Sequence, residues 1–196
     1  MPVKGESGEP VIVVLASGRG ERFLASGGSA SKLQAMLAGR TVLERTLQAV
    51  ADSGLRWHLE DKGHPGMGDS IAAAVRATAS ASSWLILPGD LPLIQAATLR
   101  CIAAAPAELD VVVPVVQGQR GHPVRFSARC GPALMGLTGA QGAAALACLK
   151  TAVEWPMQDI GCIFDIDTLQ DLQRAQQLLA TDSSNPGNLC ITPCGL

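Results

Sequence analysis

Charge is scarce in this chain of 196 residues: Lys, Arg, Asp and Glu make up 16% of it, against 47% hydrophobic residues, and the formal net charge is −2. That balance excludes a general attraction to nucleic acid or to a membrane surface, so any bound anion must be held by local groups. The apolar share also excludes a disordered chain, and the length suits one domain with a proper core. No apolar run approaches the roughly 18 residues that a membrane span needs. Residues 1–10 are polar and lack the apolar middle of a signal peptide. No Cys-x-x-Cys pair occurs among Cys101, Cys130, Cys148, Cys162, Cys190 and Cys194. The cysteines therefore read as small, reduced hydrophobes rather than a metal or disulfide framework, and the compartment expected is the cytoplasm. Internal repeats are absent as well.

What remains is an alternation of buried-type strands and amphipathic helices. Val11–Leu15 is a continuous aliphatic run, the pattern of a strand covered on both faces. Thr41–Asp52 carries apolar residues at helical spacing, and Gly54 ends it. Helices are also expected over Ser70–Ala79, Ala96–Ala105, Gln141–Val153 and Thr168–Ala180. Strands are expected at Trp84–Pro88, Asp110–Val116, Cys162–Ile166, and more briefly at Arg56–Leu59 and Pro123–Phe126. Pro114 places the Asp110–Val116 strand at a bulge or near an edge. The alternation predicts a mostly parallel α/β sheet in one domain over residues 1–180, with a loose Ser-, Asn-, Pro- and Gly-rich tail over 181–196.

In such sheets ligands sit at the carboxyl ends of the strands. Leu15-Ala16-Ser17-Gly18-Arg19-Gly20 leaves the first strand there, and Arg22 follows. Small residues let backbone N–H groups approach an anion, usually phosphate. The loop is neither a Walker A motif nor the dinucleotide fingerprint, since no G-K-[ST] closes it and Phe23 stands where a third glycine belongs. A plain tight turn with solvated arginines is the alternative. Asp90, within Pro88-Gly89-Asp90-Leu91-Pro92, follows the strand at Leu85–Leu87. It is placed either to hold Mg²⁺ against a triphosphate or to cap the next helix. Asp165 and Asp167 end the last expected strand and leave the same two options open: a shared cation, or a cap from Asp167 or Thr168. His122, in a Gly-His-Pro turn, either meets a substrate or holds the loop; His58 and His64 read as structural.

The segments L-A-S-G-R-G-E-R-F…S-K-L, P-G-D-L-P, R-G-H-P-V and D-I-D-T-L-Q-D-L, in that order between Val11 and Leu179, resemble the MobA-like nucleotidyltransferase superfamily. They resemble most its CTP:molybdopterin cytidylyltransferase branch. The resemblance implies a three-layer α/β/α Rossmann-like fold and transfer of CMP from CTP to the phosphate of molybdopterin, with release of pyrophosphate. GTP, or another phosphorylated acceptor, is the alternative, and a non-catalytic nucleotide-binding partner of a molybdoenzyme or its chaperone is the rival from another class. Arg22, Lys32 and Asp90 are then the implied catalytic residues, with Asp90, Asp165 and Asp167 as Mg²⁺ ligands. Leu15, Ala16, Ser17, Gly18, Gly20, Gly66 and Ser70 would lie against the nucleotide, and His122 and Pro123 against the acceptor.

Three departures from that pattern stand out. The loop between Arg22 and Lys32 is long and is expected to be a flap. Only Gly54–Pro65 spans a stretch that the family fills with a strand and a helix more, which implies either a lost unit or a segment missing from the sequence. Gly139-Ala140-Gln141-Gly142-Ala143-Ala144 replaces a G-D-x-G-A-R stretch near the acceptor, so an arginine grip is missing there. Asp69, where the family turn has Ser, adds a negative charge beside the expected nucleotide.

Overall fold

The structure is a computed structural model; it describes residues 8–17, 21–28, 31–139 and 152–184. Val11–Leu15 forms β1, and its first four residues are buried. Because successive strand side chains point to opposite faces, one run of aliphatics feeds two cores. Val11 and Val13 pack with Trp84, Ile86, Ala72 and Val75 on one face. Ile12 and Val14 pack with Leu85, Leu87, Leu99 and Ile102 on the other. Each fully buried Val, Ile or Leu stabilises the fold by about 1.5–3 kcal/mol.

The remaining elements follow in chain order. A short helix α1 spans Glu21–Ala25, and Met36–Leu37 (β2) pairs with Arg40–Thr41 (β3) in a small hairpin. Helix α2, Val42–Asp52, opens with a reciprocal cap: Glu44 N–H donates to Thr41 Oγ1 (3.1 Å) and Thr41 N–H to Glu44 Oε2 (2.7 Å). Then come β4 (Arg56–Glu60), α3 (Met67–Ala77), β5 (Ser83–Pro88) and α4 (Ala96–Ala103). Strands β6 (Val111–Val116), β7 (Gln119–Arg120) and β8 (Val124–Ser127) precede α5 (Gly131–Met135). Strand β9 (Val153–Pro156) and the final helix α6 (Leu169–Ser184) complete the described chain.

The seven-stranded sheet has the order β4-β1-β5-β8-β6-β7, with β9 pairing β6. Strands β4, β1 and β5 are parallel, β8 and β7 run against their neighbours, and β9 is parallel to β6. The fold is thus the layered, mostly parallel α/β architecture expected, with helices on both faces. A third cluster, Phe23, Leu33, Leu37, Val42, Ile166 and Ala175, fastens α6 over the end of the sheet. No helix among the described residues is long and apolar enough to cross a membrane.

Several expectations need correction. Cys162–Ile166 is not a strand: Ile160–Cys162 is a 3-10 turn, and the following residues bond to loops, with Ile166 N–H donating to the Asp90 carbonyl (3.0 Å). The strand at this end of the sheet is Val153–Pro156, so Val153 belongs to a strand and not to the helix expected over Gln141–Val153, the rest of which lies outside the described residues. Helix α6 runs through Ser184, past the expected tail boundary at 181, and residues 185–196 are likewise outside. Pro114 lies beside β9 and faces the break between β7 and β8, where its carbonyl accepts from Gly121 N–H (2.8 Å). Residues 61–66 carry β4 straight into α3, so no further strand–helix unit intervenes and Trp57 is left 45% exposed on β4. Cys101, on α4, is only partly buried, whereas Cys130 and Cys162 are buried free thiols, as expected.

Candidate functional site

The carboxyl ends of β1 and β5 open into a cavity of about 590 Å³. Strand β1 delivers Leu15, whose carbonyl accepts from Gly89 N–H (2.9 Å), and Ala16, whose N–H donates to the Glu60 carbonyl (2.9 Å). The Ala16 amide is therefore already used, and any backbone cradle begins at Ser17. Ser17 Oγ lies 2.9 Å from Ser70 Oγ, and Ser70 also donates to the Gly66 carbonyl (3.3 Å), which ties the loop to the start of α3. Ser70 is buried beneath the loop. Gly18 and Gly20 lie outside the described residues.

Strand β5 delivers Asp90. Thr46 Oγ1 donates to the Gly89 carbonyl (3.0 Å), so α2 fixes the turn on which this carboxylate sits. Lys32 Nζ stands 2.6 Å from Asp90 Oδ2 and 2.7 Å from Asp167 Oδ1, and its side chain is 13% exposed. Arg22, at the exposed rim, pairs with the other oxygen of Asp167. Arg22, Lys32, Asp90 and Asp167 are thus brought together from four separate stretches of chain, and Asp165 lines the same cavity.

Neither Asp90 nor Asp167 spends its carboxylate on a helix N-terminus; both face Lys32. Asp159, which caps the 160–162 turn, braces the start of α4: its Oδ2 accepts from Gln95 N–H (3.0 Å) and Thr98 Oγ1 (2.7 Å). Thr168 begins α6 in a mutual pair with Asp171, whose Oδ2 accepts from Thr168 N–H (2.8 Å), so the Asp167 side chain is left for the cations. Sequence reasoning overlooked Asp159 because an isolated Asp before an Ile-Gly pair carries no distinguishing pattern.

Interlocked charges shape the titrations. Burial works against the Lys32 ammonium, but the charge of Asp90 and hydrogen bonds to Asp167 and Asp90 outweigh it and raise its pKa above 10.5. The hydrogen bond from Lys32 is the main reason why Asp167 titrates below 3.8, with Arg22 adding to it. Asp165 moves the other way: burial raises it, and the charges of Asp167 and Asp90 push further, against its own backbone N–H and Lys32.

A divalent cation fits this donor set in one respect and not in another. Asp90 Oδ1 is buried without a partner, the kind of orphaned oxygen that a hard cation satisfies. Yet among the described residues no three ligating side chains stand ready around a metal position. The Lys32 ammonium fills the space between Asp90 and Asp167. Asp90, Asp165 and Asp167 would hold a cation only after Lys32 gives way.

The other wall is built from backbone. Gly121-His122-Pro123, with a cis bond before Pro123, docks on the 160–162 turn: His122 N–H donates to the Cys162 carbonyl (2.8 Å). A Cβ on Gly121 would lie 2.3 Å from that carbonyl oxygen, and one on Gly161 would lie 2.3 Å from Leu93 O. Burial lowers the His122 pKa, against the opposing charges of Asp90 and Asp165 and a bond to the Ile86 backbone, and its Nδ1 is buried without a partner. Burial pushes the Cys162 thiol up to about 12. Arg120, the first residue of the R-G-H-P-V stretch, also lines the cavity, and no local pattern singles it out.

Three residues singled out in the sequence have structural partners, as read for His58 and His64 and unlike the reading of Asp69. His58 and His64 both reach the buried Glu60 (3.4 and 3.1 Å). Asp69 Oδ2 accepts from Gly139 N–H (2.7 Å) while Gly68 N–H donates to Gly139 O (2.9 Å), so the unexpected charge holds the residue-139 turn against α3.

Comparison with known proteins bears on what such a cavity serves. No curated protein is detectably similar to the chain. Among solved structures, Rv0371c of Mycobacterium tuberculosis H37Rv is 23% identical, covering 87% of this chain and 98% of its own, at a TM-score of 0.72. The same protein complexed with manganese gives 21%, 87%, 99% and 0.66. A nucleotidyl transferase from Methanothermobacter is 22% identical over 88% of this chain and 98% of its own, at 0.72. Molybdopterin-guanine dinucleotide biosynthesis protein A from Archaeoglobus fulgidus is 18% identical over 87% and 99%, at 0.60. At such identities the likeness is one of fold. Residues 46–152, more than half of the sequence, match the model of a nucleotidyltransferase family, and on that match the chain belongs to the MobA-like NTP transferase domain family.

Proposed function

We propose that the chain is a Mg²⁺-dependent nucleotidyltransferase that moves CMP from CTP onto the phosphate of molybdopterin and releases pyrophosphate. The observation that carries this reading is the Lys32 ammonium between Asp90 and Asp167, with Arg22 at the rim of a cavity where β1 and β5 end. An acceptor phosphate oxygen attacks the α-phosphorus, the new P–O bond forms in line, and the bond to the pyrophosphate oxygen breaks. A phosphate monoester is already ionised at neutral pH, so no general base is required, and catalysis reduces to positioning and charge neutralisation.

Within that reading Arg22 and Lys32 exchange their carboxylate partners for the triphosphate, and the loop from Ser17 supplies backbone N–H groups to it. Leu15 and Ala16 fix the loop's origin; Gly66 and Ser70 hold it from α3. Mg²⁺, bound by Asp90 with Asp165 and Asp167, would neutralise charge on the phosphates. His122 and Pro123 form the acceptor wall. The manganese complex of Rv0371c makes a divalent cation the natural cofactor. The Archaeoglobus neighbour's guanine dinucleotide chemistry keeps GTP as the second reading.

Pyrophosphate release with Mg²⁺ and molybdopterin, CTP beside GTP, tests this. Faster release with CTP is the expected result. Release with GTP alone would move the chain to guanylyl transfer. No release, with nucleotide still bound, would point to another phosphorylated acceptor or to a non-catalytic partner of a molybdoenzyme.

A further inference from the structure

Three strong cations among the described residues line the cavity: Arg22, Lys32 and Arg120. The first two are committed to Asp167 and Asp90, carboxylates inside the same cavity. Arg120 differs. Its Nε donates to Oε1 of Glu154 (3.0 Å), and its Nη2 lies 2.9 Å from the same oxygen; Glu154 is on β9 and not part of the cavity lining. Both side chains are more than half exposed, at 54% and 55%. An ion pair so exposed contributes little and gives way readily to a better anion.

The backbone under Arg120, by contrast, is fixed. Gln117 (φ 52°) and Gly118 (φ 80°) make the two-residue turn that joins β6 to β7, and Arg120 is paired with Val115. Beyond it, Gly121 N–H is held by the Pro114 carbonyl (2.8 Å), and Gly121 is seated on Cys162 with no room for a side chain. The guanidinium can therefore turn from Glu154 into the cavity without moving its strand. A planar guanidinium matches phosphate geometry with paired N–H donors.

We infer that Arg120 is the cation that grips the phosphate of the acceptor, released to it by Glu154. This rests on the reading above, in which the second substrate carries a phosphate. A second phosphate dianion brought close to a triphosphate is repelled unless it brings or finds its own positive charge. In that reading Arg22, Lys32 and the metal serve the triphosphate, and Arg120 stands next to the Gly121–Pro123 wall.

The test is equilibrium binding on the full chain, with inorganic phosphate as the probe in the presence of Mg²⁺ and a non-hydrolysable CTP or GTP analogue. Arg120→Ala should weaken phosphate binding about tenfold or more, the loss of a charge-assisted pair, while leaving analogue affinity within about twofold. Arg120→Lys should recover part of the loss, and Glu154→Gln, which frees the guanidinium, should tighten phosphate. Phosphate affinity unchanged in Arg120→Ala, or weakened in Glu154→Gln, overturns the inference. So does a wild-type chain that binds the analogue but no phosphate, an outcome that spares the functional reading. Failure to bind either analogue defeats both.

Discussion

The two walls of the cavity are made of opposite materials. Around Lys32 the chain brings four charged side chains, Arg22, Lys32, Asp90 and Asp167, into contact from distant stretches, and leaves one buried oxygen of Asp90 without a partner. Around His122 it uses almost no charge: backbone N–H to carbonyl bonds and glycines too tightly seated for a Cβ hold Gly121–Pro123, the 160–162 turn and Leu93 together. The first wall can rearrange by exchanging ion-pair partners, at little cost to the core. The second can hardly move without breaking backbone contacts. A transferase that must admit a highly charged nucleotide and then hold a second substrate in line gains from just this division of labour.

The comparison breaks most visibly at Asp90. Asp90→Ala should lower pyrophosphate release about 10³-fold, as the loss of a carboxylate that organises charge on the phosphates. Its thermal unfolding should move little, because the substitution also removes an oxygen that has no partner. An undiminished rate would remove Asp90 from the chemistry. A chain that only binds would keep its partner after this change, which separates the enzyme from the accessory protein.

Next in size, and on the other wall, is Gly161→Ala. A Cβ there meets Leu93 O at 2.3 Å, Leu93 C at 2.4 Å and Ile94 N at 2.5 Å, all backbone, so no side chain can swing aside. The expected loss is about 3 kcal/mol of unfolding free energy by urea titration. It should be the same at low and at high salt, since no charge is involved. A loss that shrank with salt would mean that this wall, too, is held by charge.

Much of this was legible in the sequence, and unevenly so. Continuous aliphatic runs at Val11–Leu15 and Trp84–Pro88 announced buried parallel strands, since two-sided burial leaves no polar alternation. Asp90 stands out because it follows the second of them, and strand ends are where such sheets keep their chemistry. Cys162–Ile166 misleads: Cys162 is buried in the core on one face of the sheet and Ile166 against α6, neither within a ladder, and composition alone does not separate the two. Asp159 and Arg120 escaped notice for a different reason. Their partners, Thr98 and Glu154, are 61 and 34 residues away, and no local pattern marks such pairs.

Asp69 offers a smaller and more discriminating case, because it joins a charge to backbone packing. Its carboxylate accepts from Gly139 N–H at 2.7 Å, and Gly68, with Thr138 O 2.9 Å from where a Cβ would stand, lets α3 approach that turn. Asp69→Ala removes an acceptor and leaves the Gly139 amide dependent on water, so about 1–2 kcal/mol of stability should be lost. Asp69→Asn keeps an oxygen in place and should cost less than half as much. Were the charge itself what matters, through the helix N-terminus, Asn would behave like Ala and added salt would shrink both losses. A loss in Asp69→Ala alone, indifferent to salt, would place this junction with the packed wall, and the negative charge that looked out of place beside the nucleotide would be there for its oxygen.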